Sequence, residues 1–208
     1  MSFEVWLTFF AASWLISLSP GPGAVYAMSC GMNHGFWRGY AGTVGLIAGI
    51  LTLLAVVSVG LGALLTASVT AFQFVKWCGV AYLVYIGVQQ WRSAARRIEG
   101  PGAKARLPAR TLVARGWALN ATNPKGALFM LAVVPQFVDP TTPLAPQYLL
   151  IATTLAFTDV VVMAGYTMFA AKVLAALRDP RHLIALNRLF GGLFVGAAFL
   201  LATWRRSS

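Results

Sequence analysis

The chain has 208 residues, 59% of them hydrophobic and only 10% charged, against roughly 25% charged in a soluble domain. That composition excludes a water-soluble enzyme or binding module and defines an integral membrane protein, almost all of it embedded. A formal net charge of +11 would suit nucleic acid, but the basic residues lie between apolar stretches without any DNA- or RNA-binding motif, so membrane topology explains them better.

Six apolar spans follow one another at roughly 5–27, 39–65, 71–91, 116–137, 146–171 and 183–203. The first is expected to be retained rather than cleaved, because Glu4 precedes it, no Lys or Arg does, and it is too long for a signal peptide. It is interrupted by Ser19-Pro20-Gly21-Pro22-Gly23. Pro20 and Pro22 lack amide protons, so the carbonyls of Ile16 and Leu18 lose their i+4 donors, and Ser19 and Gly21 are pushed out of helical geometry. In lipid such a break is tolerated only where protein or a polar cavity satisfies it. Asn33-His34-Gly35 reads as a turn before the second span, which carries Gly45 and Gly49 at GxxxG spacing. That small face serves equally as an internal seam or as a dimer contact with a second copy.

The third span carries Lys76, Trp77, Tyr82, Tyr85 and Trp91, an interfacial set. A basic linker, 92–115, then separates two halves, 1–91 and 116–204, of a single 208-residue transmembrane domain. It holds Arg92, Arg96, Arg97, Lys104, Arg106, Arg110 and Arg115, and Gly100-Pro101-Gly102 breaks it. The fourth span meets a second break at Asn123-Pro124-Lys125-Gly126, where Pro124 frees the carbonyl of Asn120. The fifth carries Asp159 among Thr153, Thr154 and Thr158, with Tyr166 on the same face. Gly192 and Gly196 repeat the GxxxG spacing in the sixth.

Alternating the loops places twelve of the sixteen basic residues on one side, which the positive-inside rule makes cytoplasmic. Arg205 and Arg206 run against this. Two halves with three helices each must have opposite orientation, the inverted-repeat layout of many secondary transporters. The expected fold is therefore all-α, six transmembrane helices as two inverted three-helix repeats with helices 1 and 4 broken. Lys125 and Asp159 lie deep in the bilayer, where each costs roughly 2.5–3.5 kcal/mol at a helix centre, so they should face inward and find partners. They form either an ion pair with each other or a functional set. In the second case burial favours the neutral carboxylic acid and makes Asp159 a proton-exchanging group. No metal-ligand spacing, nucleotide loop or nucleophile triad is visible, so neither cofactor nor metal is expected. Cys30 and Cys78 keep a membrane thiol-redox carrier open as the alternative, and an enzyme acting on lipid is a weaker third.

Ser19-Pro20-Gly21-Pro22-Gly23, Asn33-His34-Gly35, Lys76-Trp77, Gln89-Gln90-Trp91-Arg92, Asn123-Pro124-Lys125, Pro135-Gln136-Phe137, Asp159 and Gly165-Tyr166 together resemble the lysine-exporter superfamily. Within it the chain is most similar to the bacterial homoserine and homoserine lactone efflux proteins. The resemblance spans nearly the whole length. It implies a multi-pass exporter of the bacterial inner membrane for small amino acids or their lactones, driven by proton motive force, with homoserine against threonine left open. For such a substrate the carbonyls of Ile16, Leu18 and Asn120 are the expected ammonium ligands, beside the Ser19 and Asn123 side chains. The amides following Gly23 and Gly126, with Lys125, are the expected carboxylate site. Pro20, Gly21, Pro22 and Pro124 complete the set as the residues that make the breaks.

Overall fold

The computed structural model describes residues 1–67, 69–92, 107–170, 172 and 180–203. Their regular structure is helical: α1 (Phe3–Leu18), α2 (Pro22–His34), α3 (Phe36–Ala67), α4 (Val69–Arg92), α5 (Ala109–Ala121), α6 (Pro124–Phe137), α7 (Leu144–Met168) and α8 (Pro180–Thr203). The middle of the basic linker, 93–106, with Gly100-Pro101-Gly102, lies outside the described residues, as do Arg178, Asp179, Arg205 and Arg206.

Local chemistry sets the ends. Ser2 caps α1 by accepting from the Val5 amide, and Glu4 sits in its first turn near the positive end of the helix dipole. Proline stands at the first position of both α2 and α6, where its missing amide costs nothing. Two boundaries differ from expectation. The first span runs on through Asn33 and His34, and Gly35 alone makes the turn, with φ of 74°. This is the left-handed region that glycine enters without strain. The fourth span starts at Ala109, so Arg110 and Arg115 are helical rather than part of a loop.

Among the described residues, three helices are long and apolar enough to cross a membrane: Phe36–Gly60 within α3, all of α7, and Arg181–Phe199 within α8. The pair α1–α2, bent by 58° at its break, makes a fourth. Helix α4 and the pair α5–α6, the other two expected spans, are not among them. A core of Phe9, Leu54, Phe129, Met130, Ile151 and Phe194, with their neighbours, draws on α1, α3, α6, α7 and α8.

Glycines let two helix pairs approach closely. On α3 a Cβ at Gly45 would run into the Val113 carbonyl, and one at Gly49 would stand 2.7 Å from the Trp117 oxygen, so this face packs inside the molecule against α5. On α8 the seam is Gly191, pressed reciprocally against Gly87 of α4. A Cβ at Gly192 would meet the Trp91 ring at 3.4 Å and one at Gly196 nothing within 4 Å among the described residues, so the GxxxG spacing of α8 marks no backbone-to-backbone seam there.

Candidate functional site

The two breaks have the same local build. After α1 the chain runs extended through Ser19 (φ −67°, ψ 120°) and Gly21 (φ −161°, ψ −173°) before Pro22 opens α2. After α5, Asn123 (φ −72°, ψ 111°) is extended before Pro124 opens α6, and its side chain accepts from the Lys125 amide at 3.1 Å. Each break thus leaves helix-end carbonyls on one side and helix-start amides on the other.

Both breaks open into one cavity of about 60 Å³, room for roughly four to six waters at 10–15 Å³ each. Its polar wall is Ser17, Ser19, Asn120, Asn123, Lys125 and Asp159, and its apolar wall includes Ile16, Leu46, Ile50, Phe129, Leu155 and Met163. Gly21, Gly23, Ala24 and Gly126 bring the starts of α2 and α6 to its surface. Asp159 gets there because α7 buries one helical stripe, Ile151, Thr154, Leu155, Thr158, Asp159, Val162 and Met163, at three- and four-residue spacing.

Lys125 and Asp159 each reach a serine at the end of α1 rather than one another. Lys125 Nζ donates to Ser19 Oγ at 2.6 Å and lies 5.5 Å above the centre of the Phe194 ring. A cation over an aromatic face gains on the order of 0.5–2 kcal/mol. Ser17 Oγ donates to Asp159 Oδ1, also at 2.6 Å. The end of α1 is thereby tied to α6 through Ser19 and to α7 through Ser17.

Of the residues expected from the sequence, Ile16, Ser19, Gly21, Gly23, Asn120, Asn123, Lys125 and Asp159 line the cavity. Leu18, Pro20, Pro22 and Pro124 do not; the prolines shape the chain around it. The three expected carbonyls have different surroundings. Pro20 gives that of Ile16 no amide, whereas that of Leu18 accepts the Tyr166 hydroxyl at 2.8 Å. That of Asn120 accepts the Asn123 amide at 3.2 Å, while the buried Asn120 side chain donates to the Leu46 carbonyl. Cys30 is buried against Gly42, Cys78 is exposed on α4, and both are free thiols.

Ser17 is not among the residues singled out from the sequence, and Tyr166 is noted there only for its face. A signal for Ser17 exists: Ser13 and Ser17, four apart, form a buried polar stripe on an otherwise apolar helix. Tyr166 fills the gap that Pro22 leaves at the Leu18 carbonyl. Tyr166→Phe removes one neutral hydrogen bond and strips a carbonyl of its donor, so the protein should lose about 1 kcal/mol of stability. Thermal melting in detergent reads this directly; an unchanged midpoint would mean that the bond contributes nothing.

A helical membrane protein in which two interrupted helices meet at one cavity that holds a lysine and an aspartate has the build of a translocator. Residues 14–205 match the LysE type translocator family, and the chain belongs to that family. It is accordingly a membrane transport protein and not an enzyme. It is 40% identical over 207 residues, the full length of both chains, to the homoserine/homoserine lactone efflux protein of Salmonella typhimurium. An uncharacterized membrane protein of Vibrio cholerae is 37% identical over 98% of each chain. The leucine efflux protein of an Enterobacter species is 31% identical over 94% of each chain. No solved structure matches it significantly.

Proposed function

We propose that the chain is a proton-coupled antiporter exporting small amino acids or their derivatives, of the homoserine, homoserine lactone or threonine type, across the bacterial inner membrane. The observation that carries this reading is the single cavity in which an ammonium and a carboxyl group are held apart, each by its own serine of α1. A zwitterion needs such a division. Its carboxylate suits Lys125 and the helix-start amides of Gly23, Ala24 and Gly126, since Asn123 already takes up those of Lys125 and Ala127. Its ammonium suits Asp159 and the Ile16 carbonyl. The names of the relatives, efflux proteins for homoserine, its lactone and leucine, point to the same substrate class.

Antiport follows from competition for one group. An ionised Asp159 attracts the substrate ammonium on the cytoplasmic side. A proton arriving from the acidic outer side neutralises the carboxylate, weakens that attraction and lets the substrate leave. Proton and substrate then exclude one another at equilibrium, which is the coupling an exchanger requires.

The six-span inverted arrangement belongs to the same proposal, with halves around 1–91 and 116–204. Its support is one part of the helix contacts, since α2–α3, α4–α6, α3–α4 and α1–α8 have no counterpart under the same exchange among the described residues. Pairing α1 with α5, α2 with α6, α3 with α7 and α4 with α8 turns the contact α1–α7 into α3–α5 and α2–α7 into α3–α6. The contact α2–α5 becomes α1–α6, while α3–α7 and α4–α8 map onto themselves. The basic loops then face the cytoplasm, so a reporter joined after Gly102 should be cytoplasmic and one after Pro140 periplasmic. The opposite result would reverse the direction of the cycle.

The test is uptake of labelled homoserine, homoserine lactone, threonine and leucine into inverted membrane vesicles carrying an acid-inside gradient. Uptake of at least one, abolished by a protonophore, is expected. Uptake of none, or uptake indifferent to the protonophore, would remove the proposal.

A further inference from the structure

The glycines of this chain fall into distinct classes. At Gly39, Gly49, Gly87 and Gly191 an added Cβ would stand within 2.6–2.8 Å of a backbone atom of a neighbouring segment, so packing demands glycine. At Gly35 the backbone demands it, with φ of 74°. Gly21 and Gly23 meet neither demand. Gly21 is extended, a conformation open to any residue, and Gly23 lies in the first turn of α2, where φ is negative. A Cβ on Gly21 would rest 3.8 Å from Lys125 Nζ and 3.9 Å from Lys125 Cδ. On Gly23 it would rest 3.7 Å and 3.9 Å from the two methyls of Leu46. These are ordinary van der Waals contacts; inside α2, at Gly23, alanine is intrinsically the better residue, while at the N-cap, Gly21, glycine keeps a modest advantage over alanine. What a methyl would take away at both positions is cavity space.

The two spaces differ in chemistry. One borders the ammonium of Lys125 and the other the branched methyls of Leu46, and in each a single methyl would already touch the residue opposite. Building on the amino-acid exporter reading above, we infer that Gly21 and Gly23 are specificity-determining residues. The space left at Gly21 receives the substrate carboxylate against Lys125, and the space left at Gly23 receives the substrate side chain against Leu46 and limits its length. The absence of two side chains, rather than the presence of any, then sets which amino acid passes.

The test uses the full-length protein in proteoliposomes, as wild type and as Gly21→Ala, Gly23→Ala and Gly196→Ala, the last at a position with no neighbour within 4 Å. Transport of homoserine and homoserine lactone is measured, with glycine, alanine and leucine as competitors, alongside thermal melting. For Gly21→Ala, kcat/KM for homoserine should fall about tenfold or more, the usual effect of one misplaced methylene in a pocket, with a smaller loss for the lactone, which has no free carboxylate. For Gly23→Ala, the order of preference should shift towards glycine and alanine. Gly196→Ala should transport as wild type does; Gly23→Ala and Gly196→Ala, within helices, should melt at or above wild type, and Gly21→Ala, at the N-cap of α2, within about 1 kcal/mol of it. The inference falls if both cavity variants keep the wild-type rates and order of preference, or if both lose homoserine and lactone in equal proportion. Wild type transporting none of homoserine, its lactone, threonine and leucine would instead overturn the exporter reading, and this inference with it.

Discussion

Asp159→Asn should leave the protein folded and able to exchange internal for external substrate, while export no longer responds to a proton gradient. The carboxamide keeps the shape of the side chain, and its oxygen can still accept from Ser17, which lies 2.6 Å from Asp159 Oδ1 in the native protein. Only the ability to gain and lose a proton is removed, so the stability change should be about 1 kcal/mol or less. Asp159→Ala is the harsher comparison. It removes the carboxylate partner of the buried Ser17, which keeps only the longer bond to the Thr158 hydroxyl at 3.3 Å, at about 1 kcal/mol or more. Counterflow of labelled homoserine without a gradient, set beside uptake with one, separates binding from coupling. Gradient-driven uptake by Asp159→Asn at the wild-type rate would take the proton away from Asp159.

The same variant distinguishes the two roles that deep charges can play. Were Lys125 and Asp159 a structural pair, removing one would strand the other, and removing both would largely restore the loss. Because each charge is bonded to a different serine, the double variant of Lys125→Met and Asp159→Asn should show no such rescue and should melt no higher than the more stable of the two single variants.

Both breaks were legible in the sequence because a proline's missing amide is a property of one residue and acts on a carbonyl a fixed four positions away. That Lys125 and Asp159 turn into the protein was legible for a similar reason: each stands within an apolar run. Less visible was anything that depends on approach between segments. GxxxG spacing occurs in both α3 and α8, yet Gly45 and Gly49 pack against the backbone of α5, whereas Gly192 faces only the Trp91 ring and Gly196 nothing within 4 Å among the described residues. Ser17 was hidden because a serine in an apolar helix has a bland use, bonding the carbonyl one turn back, as Ser13 does to Phe9 at 2.8 Å. Only the approach of α7 turns Ser17 into the partner of Asp159. The start of α5 was misplaced because arginines read as loop, whereas long basic side chains on a helix can extend to the interface.

Lys125→Met should separate the free amino acid from its lactone. Methionine keeps much of the apolar stem of lysine and fits beside the Phe194 ring, but it removes the ammonium that now donates to Ser19 at 2.6 Å. A substrate carboxylate would lose one charge-assisted hydrogen bond, about 1.5–3 kcal/mol, or roughly 10–100-fold in affinity. Homoserine lactone has no carboxylate to lose it, and its ammonium would still meet Asp159. The KM for homoserine should therefore rise by that factor while the KM for the lactone changes little. Stability should hold or improve, since a cation within the bilayer costs roughly 2.5–3.5 kcal/mol on insertion scales and only a serine contact and a ring contact offset it. If Lys125 were instead a latch fastening α6 to the end of α1, the variant would melt earlier and both substrates would suffer alike. Transport of the two substrates by one purified variant, with its melting curve, decides between a binding cation and a latch.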